Sequence, residues 1–500
     1  MAQIIEFRAC HGGDYCRVHL TGTNQDAKYR RLSTQTTFWS QMLAEMDVSY
    51  SDLTNAQAVQ LVGLAVGCIL VIPCSQKYGR RSTYIFTTAA LAGATWWAAY
   101  MKTTAEVLVT SVLFGLAGAP NEAVAQMTIT DLFFLHQRAT ANSIYLFAIM
   151  IGSFLTPMVA GYQASISGWR ESYIALAISL SILTLIFIPL LEETKYIPVI
   201  EDATTATERH DQSHPTDLPT KTSQQHSNAN HEDNNAPNAD RAVRTQQPTS
   251  WRQRMRLFTT TDEPLIKTIY YPIYTICLPH VIFTAVQFAS CVCWLVVVSS
   301  MISIIFSAPP YEFDSAALGY MFTGPFIGAI FGSIYGGPLL DWAVIRFAKR
   351  NHGIFEPEMR LYLFPFQTVC LTAGLIMFGI TADEGMHWIY PSIGCALFGF
   401  GMGATGDICF TMILDAYPEL VPEIFVLITF IRNSISIPGP FSITPWLATM
   451  SVSNMFILSG FISLFLAVFC IPYIICGKRW RAATAPLYRR LCSEVAGNRR

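Results

Sequence analysis

Residues 55–73 read NAQAVQLVGLAVGCILVIP, and the chain runs on through CSQKYGRR to Arg81. A helix needs roughly 20 apolar residues to cross ~30 Å of hydrocarbon, and nothing polar interrupts the run from Val62 to Ile72. Gly63 and Gly67 sit one helical turn apart, which lets a second backbone approach closely. Arg80 and Arg81 mark the end of the run as cytoplasmic, because basic residues collect on that side of a membrane. The stretch is therefore both a membrane span and a topological anchor.

Composition extends this reading to the whole chain. Hydrophobic residues make up 52% and charged residues 13%, against roughly 25% charged in soluble domains. A net charge of -2 gives no basic surplus that would point to nucleic acid. Of the 13 cysteines, Cys68, Cys291, Cys293, Cys370, Cys395, Cys409 and Cys470 lie in apolar runs, where cysteine acts as a small hydrophobe. Cys10, His11, Cys16 and His19 fit no standard zinc spacing, so no metal site and no disulfide framework is expected.

Apolar runs of spanning length occur at 55–73, 83–100, 107–130, 143–163, 172–191, 272–300, 316–340, 362–381, 388–414, 424–447 and 454–476, eleven in all. Between the fifth and sixth lies a polar stretch with TKTSQQHSNANHEDNNAPNAD at residues 220–240, a composition that cannot bury a core. The expected organisation is a polar N-terminal segment (1–54), a helix bundle (55–194), a disordered cytoplasmic linker (195–268), a second bundle (269–477) and a cytoplasmic tail (478–500). Lys77, Arg80, Arg81, Arg138, Arg346, Lys349, Arg350, Arg360, Lys478, Arg479 and Arg481 cluster at alternate connections and set the orientation, with linker and C-terminus inside.

The halves echo each other. FGLAGAPNEAVAQMTITD from Phe114 to Asp131 matches FGFGMGATGDICFTMILD from Phe398 to Asp415 in its Phe-Gly start, its small residues, its mid-span carboxylate (Glu122, Asp407) and its closing aspartate. An internal repeat of this kind is the signature of a duplicated transporter fold.

Several motifs carry a family likeness. Gly67 runs through Gln76-Lys77-Tyr78-Gly79-Arg80-Arg81. Gly152-Ser153-Phe154-Leu155-Thr156-Pro157-Met158-Val159-Ala160-Gly161 forms a glycine and proline pattern. The endings Glu192-Glu193-Thr194-Lys195, Glu356-Pro357-Glu358-Met359-Arg360 and Gly477-Lys478-Arg479-Trp480-Arg481 add to these. On these residues the chain from 36 to 481 resembles the major facilitator superfamily, and in particular the fungal drug:proton antiporters with twelve spans. The resemblance implies an all-α, two-bundle fold in which Gln76, Arg80, Arg81, Asp131, Arg138 and Asp341 form a cytoplasmic gate. It also marks Gly152, Pro157 and Gly161 as an antiporter-like motif. Gln76 stands where the family has an acid, and Thr156 and Ala160 where it has glycines, which leaves export against import open. The family's first helix has no counterpart in residues 1–35, which hold Arg8, Arg17, Lys28, Arg30 and Arg31. Residues 1 to about 34 are therefore expected not to be the native start of a working carrier, through a missed upstream exon or a truncated product, the rival being a genuine segment that forms a short helix or coil at the membrane face.

A carboxylate inside a span costs about 2.5 to 3.5 kcal/mol on insertion scales and is a functional candidate by default. Glu122 and Asp407 are the proton-coupling candidates, since a carboxyl removed from water favours its proton-bearing form. A structural hydrogen bond is the alternative for each, and Arg432 is a candidate partner for Asp407. Asn121, His280, Gln287, Arg432 and Asn433 are candidates to line a substrate cavity; His280 and Gln287 share a helix face and have interhelical hydrogen bonds as their alternative role. Pro438-Gly439-Pro440 is expected to break or kink its helix. Gly324, Gly328, Gly332 and Gly336 form a close-packing stripe. Gly401-Met402-Gly403-Ala404-Thr405-Gly406 matches a dinucleotide fingerprint by letters alone, inside a membrane run and without the strand that motif needs.

The reading is an all-α membrane carrier of a small molecule. Proton-coupled export is the direction implied by the resemblance, with uptake or a transport-inactive sensor as rivals. The expected partners are substrate, protons and the bilayer, with no cofactor and no nucleic acid. The expected protein is a monomer in the plasma membrane, the vacuolar membrane being the alternative.

Overall fold

The computed structural model describes residues 35–132, 138–191 and 265–498. The Cys10–His19 cluster, the basic residues before residue 35 and the polar linker lie outside the described residues.

All regular structure among the described residues is helical. The first half holds α1 (Trp39–Glu45), α2 (Tyr50–Tyr78), α3 (Arg80–Ala99), α4 (Thr104–Leu132), α5 (Arg138–Ser167) and α6 (Trp169–Leu190). After α7 (Leu265–Tyr274), the second half holds α8 (Pro279–Phe306), α9 (Ser315–Tyr320), α10 (Thr323–Ile334) and α11 (Leu340–Arg350). It continues through α12 (Phe364–Asp383), α13 (Ile389–Ala416), α14 (Val421–Ser436), α15 (Pro438–Thr449), α16 (Val452–Val468) and α17 (Cys470–Asn498).

Among the described residues nine stretches are long and apolar enough to cross a bilayer, not the eleven read from the sequence. Of the two others, α3 is a helix whose polarity is internal, and α4 is a helix whose side chains are only partly described beyond residue 120. Thr87, Thr88 and Thr95 of α3 donate to the carbonyls of Thr83, Tyr84 and Leu91 at 2.8, 2.6 and 2.6 Å. Such back-bonded hydroxyls lower hydropathy without leaving a donor exposed to lipid. In α4, the apolar part covers Thr104–Pro120. The corner between α2 and α3 is a single residue, Gly79, at φ 103°, a backbone open to glycine at little cost.

Two expectations at the ends change. The segment before residue 55 is not polar throughout, because Phe38, Trp39 and Met42 are fully buried against α3, α4 and α6. Glu45 ties α1 down: it accepts from Arg170 Nε at 2.8 Å and from the Trp169 ring nitrogen. These donors, Arg170 foremost, hold its carboxyl below the usual carboxylate range. Arg170 in turn donates to the carbonyls of Ala99 and Met101, each at 3.1 Å. At the other end, the expected tail is helical over residues 478–498, with Leu491 buried against the core.

Inside each half the tightest contacts are glycine ladders. A Cβ at Gly324, Gly328, Gly332 or Gly336 of the α9–α11 span would strike Ser392, Ala396, Phe400 or Ala404 of α13, so both helices contribute every fourth residue. Gly63 and Gly67 of α2 meet Val112, Leu116 and Ala119 of α4 in the same manner. The repeat seen in the sequence is therefore a repeat of helix pairs, α2 with α4 and α10 with α13.

The halves meet along two seams. At one, α5 packs on α9 and α10, with Gly161 against Ser315 and Gly319 against Pro157. At the other, α2 and α4 face α14 and α15. One face of α2 runs Tyr50, Thr54, Gln57, Leu61, Leu64, Cys68 at helical spacing. Its outer, polar part bonds across: Tyr50 to Ser307 at 3.0 Å, Thr54 to Thr444 at 3.4 Å, and Ser300 to Gln57 at 2.6 Å. Its middle packs on Val426, Phe430 and Ile437.

Gly328→Ala is expected to destabilise the protein by about 1–3 kcal/mol or more, since the new methyl meets backbone that cannot yield. Gly337→Ala has open space within 4 Å and is expected to be near neutral. Detergent-phase unfolding of both variants checks the contrast, and equal midpoints would contradict the ladder.

Candidate functional site

Midway along the second seam, two opposite charges meet out of water. Glu122 on α4 is 3% exposed and Arg432 on α14 is 4% exposed. Arg432 Nη2 donates to Glu122 Oε2, and Asn433 Nδ2 donates to the same oxygen at 3.1 Å. The Asn433 carbonyl oxygen accepts from Arg432 Nη2 at 3.0 Å and from Nε at 3.3 Å. The Arg432 guanidinium also lies 5.1 Å from the centroid of the Phe288 ring, a cation–π contact. Cys68 of α2 closes the group, 3.8 Å from Asn433 Nδ2.

Local structure delivers these groups. α14 ends at Ser436 and α15 begins at Pro438, so the expected helix break is present at Ile437, one turn after Asn433. Ser436 anchors that turn by donating to the carbonyl of Arg432 at 2.7 Å and to that of Ala289 on α8 at 3.1 Å.

Asp407 does not share this site. It is 1% exposed on α13, with both carboxylate oxygens making no hydrogen bond to described residues, and it faces Gly336. Arg432, read from the sequence as its candidate partner, binds Glu122 instead. The repeat explains the difference: aligning Phe114 with Phe398 puts Gly406, not Asp407, opposite Glu122. A shift of one residue turns a helical side chain by about 100°. Gly406 faces Phe288, so in the second half an aromatic ring occupies the space beside the position where the first half has its carboxylate.

The other candidates disperse. His280 is fully buried beside Tyr417 (3.3 Å to its hydroxyl) and Glu358 (3.4 Å). Gln287 donates to the carbonyl of Leu466 at 2.6 Å. Both are interhelical hydrogen bonds away from the Glu122 cluster. The side chains of Asn121, Asp131 and Arg138 lie outside the described residues. Arg81 donates to the carbonyl of Ile188 at 2.7 Å, Arg80 is buried, and Gln76 is half-buried at the same corner. In the second half, Arg360 bridges Asp341 at 2.9 Å and Asp415 at 2.6 Å. Gly152 and Pro157 are buried on α5, and Pro157 and Gly161 form the first seam. The glycines at 401 and 403 pack on Leu371 and Ala329 inside a helix. Sequence reasoning missed Phe288 and Cys68, which no polar or charged signal marks.

The Major Facilitator Superfamily model matches residues 32–440. The chain belongs to the Major Facilitator Superfamily. Its relatives are fungal. It is 28% identical to an uncharacterized MFS-type transporter of Schizosaccharomyces pombe, over 90% of this chain and 81% of that one. It is 27% identical to protein HOL1 of Saccharomyces cerevisiae, over 88% and 82%. It is 24% identical to the MFS antiporter QDR3 of Candida albicans, over 83% and 72%. The fold matches the xylose transporter XylE from E. coli in a partially occluded inward-open conformation, with a TM-score of 0.57 at 14% identity, covering 91% of this chain and 96% of that one. This superfamily member is thus a multi-pass membrane transporter of small molecules and not an enzyme.

The Glu122–Arg432 pair is thus a contact between the two halves of a transporter. Glu122→Gln leaves a guanidinium that cannot deprotonate buried without its counter-ion, expected to cost roughly 3–5 kcal/mol. The double variant Glu122→Gln/Arg432→Gln should recover most of that loss. Unfolding midpoints in detergent measure both, and an unchanged midpoint in the single variant would show the pair to be energetically idle.

Proposed function

We propose that the protein is a proton-coupled secondary carrier in which Glu122 takes the coupling proton and Arg432 is its switchable partner. The observation carrying this reading is the buried ion pair across the seam. A proton added to Glu122 removes the charge that holds Arg432, which then keeps Asn433 Oδ1 and the Phe288 face as its partners. The guanidinium has then lost its buried counter-ion, and that penalty drives the halves apart so that water reaches it. Substrate entering between α4 and α14 competes for the same groups. Export is the preferred direction, supported by relatives named as an efflux pump in Aspergillus flavus and an antiporter in Candida albicans.

The test begins with an expressing cell screened against a compound library and continues with the substrate found, in proteoliposomes carrying an imposed pH gradient. The wild type is expected to concentrate substrate, with the sign of flux against the gradient separating export from uptake. Glu122→Gln, assayed below its melting temperature, is expected to lose uphill transport and keep exchange, which also shows that it is folded. A variant that still concentrates substrate would make Glu122 structural.

We further propose that Arg80 or Arg81 pairs with Asp131 as the cytoplasmic gate of the first half. The support comes from the repeat: Asp415, the counterpart of Asp131, is held by Arg360 in the second half. Arg80 and Arg81 are both buried, so reversing the charge of their partner acts on the balance between the open and closed cytoplasmic face. Asp131→Arg is therefore expected to slow turnover severalfold per folded molecule. Turnover equal to wild type would remove the gate.

A further inference from the structure

We infer that the C-terminal half carries, on the side that the arginine distribution makes cytoplasmic, an anion site for a phosphate-bearing ligand, formed between α17 and the turn that follows α13. A cavity of about 550 Å³ lies there, lined by Tyr417, Glu419, Arg481, Tyr488, Arg489 and Cys492 among others. Its size falls in the range of small-molecule sites, roughly 300–1,000 Å³, so it holds more than a bare ion.

The chemistry of the lining is specific. Arg489 is exposed and is in no ion pair among the described residues, so its guanidinium is available. Arg481 is only partly committed: its Nη2 lies 3.2 Å from Glu358 Oε2 and its side chain is 28% exposed. Two forked guanidinium groups facing one cavity match phosphate oxygens better than a single carboxylate. The Tyr417 and Tyr488 rings lie 5.5 Å apart and frame the floor, the Tyr417 hydroxyl held by His280 and the Tyr488 hydroxyl accepting from the Glu419 N–H at 3.4 Å. Glu419 disfavours a free dianion and favours a ligand that also presents a hydroxyl or ammonium donor.

The site connects to the interior of the half. Behind Arg481 stands Glu358, held 3.4 Å from His280 Nε2, and behind Tyr417 stands His280 Nδ1 at 3.3 Å. Tyr473 of α17 donates to the carbonyl of Pro279 at 2.9 Å. A ligand drawing Arg481 away from Glu358 therefore alters the bonds that join α17 to the start of α8 and to the turn before α12. This inference is independent of the Glu122–Arg432 reading, and either stands if the other fails.

The test is thermal unfolding of the full purified chain in neutral detergent, titrated with inorganic phosphate against sodium chloride at matched ionic strength. The wild type is expected to show a saturable, phosphate-specific rise in midpoint. Arg489→Gln is expected to weaken the apparent Kd roughly tenfold, as loss of one charge-assisted contact implies, and Arg489→Lys to retain most of it. Because Arg489 is exposed and unpaired, both variants fold. Inositol 1-phosphate and a dioctanoyl phosphatidylinositol phosphate separate the sources. Equal binding of the two supports a soluble ligand, and tighter binding of the lipid supports a headgroup of the leaflet. No saturable shift with any of these probes, or the same Kd in Arg489→Gln, would overturn the site.

Discussion

Helices in a bilayer are not pressed together by water, because lipid tails are as apolar as leucine. Their association depends on backbones coming close enough for dispersion and weak polar contacts to add up. In this protein that requirement is met by glycines at every fourth residue. The carbonyls of Ser392, Ala396, Phe400 and Ala404 lie where the missing side chains of Gly324, Gly328, Gly332 and Gly336 would project. The same solution recurs at Gly63, Gly67 and Gly115. These two pairs are the rigid blocks of their halves, and they fix where α4 and α13 aim the residues of their other faces.

That aim is what makes the two halves functionally unequal. The repeated segments share length, start and end, yet their carboxylates are one residue apart in register, so Glu122 points to the seam and Asp407 points into its own half. The pairing across the seam is then asymmetric: a carboxylate from the first half, and an arginine, an asparagine and an aromatic ring from the second. A symmetric pair of acids would repel when both are charged. The observed arrangement is instead attractive across the seam.

Much of this was legible in the sequence. The membrane character, the two halves, the glycine stripe and the mid-span acids all rest on residue types whose cost or benefit in lipid is large. Other features were not legible, for reasons of geometry. Hydropathy undervalues α3 because its threonines bond to their own helix, and it overlooks residues 35–46 because that helix is too short to register as a span while burying Phe38 and Trp39 completely. The partner of Arg432 depends on a 100° turn of α13 that a letter-by-letter comparison shows only once the register is counted. His280 and Gln287 share a helix face by spacing, but their bonds to Tyr417 and Leu466 depend on neighbours that spacing does not name.

The seam itself is graded along its length, and the grading bears on how the halves separate. Toward the outer end, α2 is joined to the second half by neutral bonds from Tyr50, Thr54 and Gln57, each contributing about 0.5–1.5 kcal/mol. Further in, at Cys68 and Glu122, the contact is ionic and buried, and breaking it without a proton costs several kcal/mol. The outer bonds can open one by one as water enters, since each hydroxyl finds a replacement partner in solvent. The inner pair has no such replacement until its charge is removed. Of the contacts along this seam, the Glu122–Arg432 pair is therefore the one whose separation costs most, ahead of the outer hydroxyl bonds.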